Sequence, residues 1–98
     1  MLEITEKAQE MLNQYISQGD DSDVSVRIEI VGRGASGFNY DLQLVPLKDA
    51  KEGDLHTESN GLNILIAERS VQYIDGTTLD YKETLMGGGF AFDNPNPL

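Results

Sequence analysis

Short blocks of two-residue alternation constrain this chain more than any other feature. Val24, Val26, Ile28 and Ile30 alternate with Ser25, Arg27 and Glu29. Neighbouring side chains of an extended strand point to opposite faces, so the block predicts a strand buried on one side. Tyr40, Leu42 and Leu44 repeat the pattern, and so do Leu62, Ile64 and Ile66. Thr77–Thr84 reads as a further strand with Leu79 and Tyr81 on one face, Leu55–Glu58 suits a short one, and the alternating Phe90 and Phe92 are expected in the core. Turn residues separate the blocks. Asn60-Gly61 is a strong hairpin signal, Asp75-Gly76 is a turn, and Gly32–Gly37 reads as a glycine-rich connecting loop. Pro46–Gly53 is polar and reads as a connection.

Helical spacing is sustained once. Ala8, Met11, Leu12, Tyr15 and Ile16 fall on one face, which predicts a helix over residues 5–18 with Thr5 as N-cap and Gly19 as the stop. Residues 67–74 suit a second, short helix with Val71 and Ile74 turned inward. The sum is a mainly β (α+β) domain over residues 1–98, with short mixed or antiparallel strands in a compact sandwich with two helices. A chain of 98 residues buries one modest core and no second one.

Charge and residue usage exclude several functions. Seventeen acidic residues against seven basic ones give a formal charge of -10. Such a chain repels phosphate backbones and anionic lipid surfaces, so neither nucleic acid nor membrane is an expected partner. No apolar run approaches the roughly 20 residues of a membrane span, and the N-terminus lacks the basic and apolar regions of a signal peptide. A cytoplasmic location is the expectation. There is no cysteine, which removes disulfides, thiol nucleophiles and thiolate ligands together.

The residues that remain offer little chemistry. Gly32-Arg33-Gly34-Ala35-Ser36-Gly37 contains Gly-x-Gly but lacks the third glycine of a dinucleotide site and the Lys-Ser/Thr ending of a phosphate-binding loop. Ser36 has no histidine at a motif-like spacing. Asp75 and Asp80 do not read as an acid/base pair, because Asp75 precedes a turn glycine. Asp54, His56 and Glu58 would share one face of a strand and present nitrogen and oxygen ligands to a divalent metal. The plainer reading is an exposed acidic edge. From residues alone the chain is a small acidic β-rich domain with no catalytic group, metal site or cofactor of its own.

The order of motifs adds a resemblance. Val26-Arg27-Ile28 followed by Gly34-Ala35-Ser36-Gly37-Phe38-Asn39-Tyr40 resembles the A-type (HesB/IscA-like) iron–sulfur carriers, in which such a strand leads to Gly-Cys-Ser-Gly and a nearby Tyr. Asp75-Gly76-Thr77-Thr78-Leu79-Asp80-Tyr81 is similar to that family's Asp-Gly-x-x-Leu/Ile-Asp-Tyr/Phe segment. Gly89-Phe90-Ala91-Phe92-Asp93-Asn94-Pro95-Asn96 resembles its Gly-Phe-x-Phe-x-Asn-Pro-Asn ending. The resemblance covers about residues 3–96 and implies a HesB-like fold.

In that family three cysteines hold the cluster, one in the glycine-rich loop and a Cys-x-Cys pair just past Asn-Pro-Asn. Here Ala35 occupies the first ligand position and no cysteine follows, so no ligand carries over. The resemblance implies a degenerate, non-enzymatic domain of iron–sulfur cluster biogenesis that binds or targets proteins. Its expected partners are apo iron–sulfur proteins or a NifU-like cluster carrier, with self-association also implied. The tail Asn94–Leu98 resembles the start of a linker to a NifU-like domain; the other explanation is an engineered Ala35 with a shortened tail. Arg33, Phe38, Asn39 and Tyr40 are the expected partner contact, beside the position where relatives present their cluster. Two rival readings are an iron donor working through Asp54, His56 and Glu58, and a structural relic with an unrelated partner.

Overall fold

The structure is a computed structural model that describes residues 2–18, 23–34 and 37–95. Two mixed sheets and a helix share one core. Strand β1 (Glu3–Ile4) leads into helix α1 (Glu6–Ser17), followed by β2 (Val24–Gly34) and β3 (Gly37–Pro46). After the 3-10 turn Leu47–Asp49 come β4 (Leu55–Ser59), β5 (Leu62–Ile66) and a second 3-10 turn, Glu68–Ser70, which runs into α2 (Val71–Ile74). The hairpin β6 (Thr78–Thr84) and β7 (Gly87–Asp93) completes the described chain. One sheet has the order β1-β6-β7 and the other β3-β2-β5-β4. The pairs β1–β6 and β2–β5 are parallel, and the other three are antiparallel.

Helix α1 forms where the apolar spacing predicts it. Thr5 caps its first turn, with Oγ1 accepting from the Ala8 amide at 3.2 Å and donating to Asp80 Oδ1 at 2.7 Å. The cap therefore also ties the helix to β6. The buried stripe is narrower than the predicted one. Ala8 and Leu12 are fully buried, Met11 and Ile16 are half-buried, and Tyr15 is 41% exposed. Tyr15 leans on the edge of the Phe90 ring instead, at 6.2 Å between centroids. The predicted helix stop, Gly19, lies outside the described residues.

The core joins Ala8 and Leu12 of α1 to Val26 and Ile28 of β2, Leu62, Ile64 and Ile66 of β5, Ile74 of α2 and Leu79 of β6. The alternation thus identified the inward residues of three strands. Asn60-Gly61 makes the expected tight turn between β4 and β5, with φ of 52° and 83° at the two positions. Positive φ at both central residues fits the right-handed twist of the flanking strands. The predicted second helix is a 3-10 turn that extends into a single α-helical turn.

The glycine-rich segment departs most from its sequence reading. It is not a six-residue loop, because β2 continues through Gly34 and pairs Gly32 with Asn39, Arg33 with Phe38 and Gly34 with Gly37. A bulge between Ile30 and Gly32 absorbs one residue and leaves Val31 60% exposed. An extra residue shifts the two-residue pattern, so the alternation that holds through Ile28 stops predicting burial there.

Candidate functional site

The bulge sets the facing of the hairpin end. Past it, Arg33 lies opposite Phe38, and Phe38 and Tyr40 share one face by strand alternation while Asn39 takes the other. The Arg33 guanidinium carbon sits 5.8 Å from the Phe38 ring centre and 5.9 Å from that of Tyr73 in α2. Phe38 is tilted against Tyr73 at 5.6 Å. Tyr40 stacks on Phe92 of β7 at 4.1 Å and 11° between planes. Asn94, just past β7, closes the group: its Nδ2 donates to the Tyr40 hydroxyl at 3.0 Å and to the Tyr73 carbonyl at 2.8 Å.

Of the four expected contact residues, the structure therefore brings three together. Arg33 is exposed and held over two rings, Phe38 is half-buried, and Tyr40 is half-buried between the sheets. Asn39 is exposed on the opposite face and does not join them. Sequence reasoning missed Tyr73, Phe92 and Asn94 as members of this cluster. Asn94 carried a signal in its Asn-Pro context, whereas Tyr73 carried none, because its role depends on where a single helical turn docks. Ala35 and Ser36 at the hairpin tip, and Asn96–Leu98 of the tail, lie outside the described residues.

A neighbouring cluster takes up Asp54. Arg27 Nε and Nη2 donate to the two Asp54 oxygens at 3.0 Å each, and Arg27 Nη1 donates to Glu29 at 3.1 Å. Asp54 also accepts the Lys51 amide at 2.9 Å. The bonds from Arg27 hold the Asp54 carboxyl below the usual carboxylate range and raise the Arg27 guanidinium, with burial opposing both. His56 turns to Asn63, with Nε2 3.0 Å from Oδ1. Glu58 is exposed. The sequence-level trio Asp54, His56 and Glu58 does not form a chelating set, and no group of three metal-ligating side chains occurs among the described residues. Asp80 accepts the Thr5 hydroxyl and the Tyr81 amide, which lower its pKa and give it a structural task.

The residues present do not fit an iron–sulfur cluster. Clusters of this kind are held chiefly by cysteine thiolates, and the 98 residues contain none. The polar groups beside the hairpin end are amide and phenol, and Asn94 and Tyr40 are bonded to each other. The arrangement sets one exposed guanidinium beside half-buried aromatic rings. No helix among the described residues is long and apolar enough to cross a membrane.

Comparison with known proteins places this geometry. A family model described as iron-sulphur cluster biosynthesis matches residues 1–97. The iron-sulfur cluster insertion protein ErpA of Idiomarina loihiensis is 34% identical over 95 residues, which are 97% of this chain and 80% of that protein. A protein of Azotobacter vinelandii described as an uncharacterized protein in the nifU 5′ region is 34% identical over 96 residues, 98% of this chain and 88% of its own length. Among solved structures, IscA with the 2Fe–2S cluster superposes with a TM-score of 0.74 at 35% identity, covering 98% of this chain and 84% of that one. Escherichia coli SufA, involved in biosynthesis of iron-sulfur clusters, gives a TM-score of 0.80 at 26% identity, covering 99% and 82%. The family match over residues 1–97, the 34% identity to relatives and the superposition on solved structures agree: this chain belongs to the iron–sulphur cluster biosynthesis family.

Proposed function

We propose that this chain serves iron–sulfur cluster biogenesis as a non-enzymatic, protein-binding module that does not ligate the cluster. One observation supports the reading above others: the family fold is retained with no cysteine in the 98 residues. The core, the Thr5 cap and the Asn94 anchor are all in place, so the absence of thiolates accompanies a well-specified fold rather than a decayed one. Relatives bear names of cluster insertion and cluster biosynthesis, which makes apo iron–sulfur proteins and cluster-loaded carriers the partner classes in this reading.

The hairpin end supplies the contact. Arg33 lies exposed beside the half-buried rings of Phe38 and Tyr73, and Tyr40, Phe92 and Asn94 pack behind them. Aromatic and Arg side chains lose little freedom when already stacked, and they anchor many protein interfaces. The chain orients a recipient or a carrier while the thiolates of those proteins hold the iron.

The test is cluster transfer from a loaded A-type carrier to an apo-ferredoxin under anaerobic conditions, with and without this chain. The reading predicts faster transfer and a complex with one of the two proteins by light scattering, both weakened by Arg33→Glu and Phe38→Ala. Transfer and complex formation indifferent to this chain would refute it.

A further inference from the structure

Strand β2 outruns its neighbour. It pairs with β5 only from Ser25 to Ile28, yet continues along β3 to Gly34. The Ala67 amide donates to the Ile28 carbonyl and the Ser70 hydroxyl accepts the Ile30 amide, so the chain after β5 covers this edge as far as Ile30. From Val31 to Gly34, no strand among the described residues covers it. An uncovered strand edge is a template for another extended chain.

A surface cavity of about 340 Å³ lies along that edge, lined by Val31, Gly32, Arg33, Phe38 and Tyr73 together with Glu29, Ile30 and Arg69. Its charge runs against that of the whole molecule. Two of the seven basic side chains of a chain with net charge -10 line this one cavity. Glu29 is already bonded to Arg27, and Arg69 reaches it only at 3.6 Å with its own side chain 90% exposed. No carboxylate pairs with Arg33 among the described residues, and its guanidinium carbon lies 5.8 and 5.9 Å from the ring centres of Phe38 and Tyr73. A guanidinium at this distance from the rings keeps its N–H fork for an incoming carboxylate, the geometry it matches with two parallel bonds.

From the uncovered edge and the carboxylate-free Arg33 beside two rings, we infer that this groove docks an extended peptide segment of a partner protein, with one Asp or Glu side chain on Arg33. The peptide backbone continues the sheet along Val31–Gly34, and an apolar neighbour of the acidic residue rests against Phe38 and Tyr73. The surrounding charge restricts the ligand: a run of acidic residues or a polyanion is repelled by the rest of the surface, whereas a single carboxylate among neutral residues is not. The inference rests on the proposed function in taking this side as partner-facing, and it adds the chemistry of the partner segment.

The test uses the 98-residue chain and a capped peptide, Val-Thr-Glu-Val-Thr, followed by amide and Arg Nε chemical shifts in NMR. Expected are shifts at Val31–Gly34 and Arg33 Nε, with binding about twofold to fivefold weaker for the Glu→Gln peptide, as an ion pair on an exposed arginine is worth. Arg33→Gln should weaken the Glu peptide to the same degree while the spectrum stays dispersed. N-methylation of alternate peptide amides, in one of the two phases, should abolish binding, because only one phase faces the strand. Equal binding of the Glu and Gln peptides, shifts centred elsewhere, indifference to N-methylation in both phases, or acetate alone reproducing the shifts would each overturn the inference. The two readings fail separately. Cluster transfer accelerated by this chain with no peptide binding sinks the groove and keeps the function, whereas peptide binding that leaves transfer untouched keeps the groove and sinks the function.

Discussion

Asp54→Asn offers the sharpest test of how the segment before β4 is tied to the middle of β2. The wild-type carboxylate accepts two charge-assisted bonds from Arg27 at 3.0 Å and one from the Lys51 amide. The side chains are 3% and 10% exposed, so neither partner can regain full hydration when the other is changed. The amide retains one acceptor but turns an NH2 group toward the guanidinium fork. Losing one partner of a well-buried pair costs about 3–5 kcal/mol. Two features lower that figure here. Glu29 still bonds Arg27, and a solvent-open cavity beside Lys51 and Glu52 raises the local dielectric. A cost of about 1.5–3 kcal/mol follows, the value of a charged hydrogen bond, or about 7–15 °C in Tm for a chain this size. Urea unfolding at pH 7 measures it. The pH dependence fixes the cause. Arg27 lowers the folded-state pKa of Asp54 below its ordinary 3.8, so this stabilisation is present above pH 3.8 and is lost as pH falls through the lower folded value. The gap between wild type and variant should therefore narrow only below pH 3.8. A gap under about 0.5 kcal/mol at pH 7, or one equally wide at the acid limit of folding, would refute the reasoning.

Two other substitutions separate elements of the fold. Leu12→Ala, at a fully buried site, should cost about 2–5 kcal/mol in urea unfolding, whereas Met11→Ala on the half-buried flank should cost about 1 kcal/mol; equal costs would mean the helix is rotated from its described position. Asn94→Ala removes the bonds to the Tyr40 hydroxyl and the Tyr73 carbonyl and should cost about 1–2 kcal/mol, with faster hydrogen exchange at the end of β7 and unchanged exchange in β5.

The fold was legible where side-chain period and burial coincide. Val26, Ile28, Leu62, Ile64 and Ile66 face the core as their alternation requires. Leu65 is buried too, on the other face of the sheet, where Arg27 and His56 are its cross-strand neighbours. Alternation alone cannot reveal that second covering. The glycine-rich segment misled for a physical reason: three glycines in six residues signal a loop, yet glycine also permits strands to pair closely. Gly37 has φ of 123°, a conformation that lets the chain re-enter the ladder directly opposite Gly34. Half of the candidate site was legible in the same way. Arg33, Phe38 and Tyr40 lie on one strand pair and could be grouped from sequence. Tyr73, Phe92 and Asn94 arrive from 33 or more positions later than Tyr40, and only the docking of α2 and β7 brings them in.

The central claim is that this domain contacts the cluster machinery without holding a cluster. Anaerobic incubation of the purified chain with ferrous iron, sulfide and dithiothreitol, followed by desalting, visible absorption and iron and sulfide analysis, tests it most directly. A cluster shared between two subunits needs about four thiolates, and two copies of this chain supply none. The account predicts a colourless protein with no stoichiometric iron or sulfide. It predicts the same for Ala35→Cys, which supplies one thiolate per chain and two per dimer. A bound chromophore with iron and sulfide in fixed ratio to the unmodified chain would contradict the account.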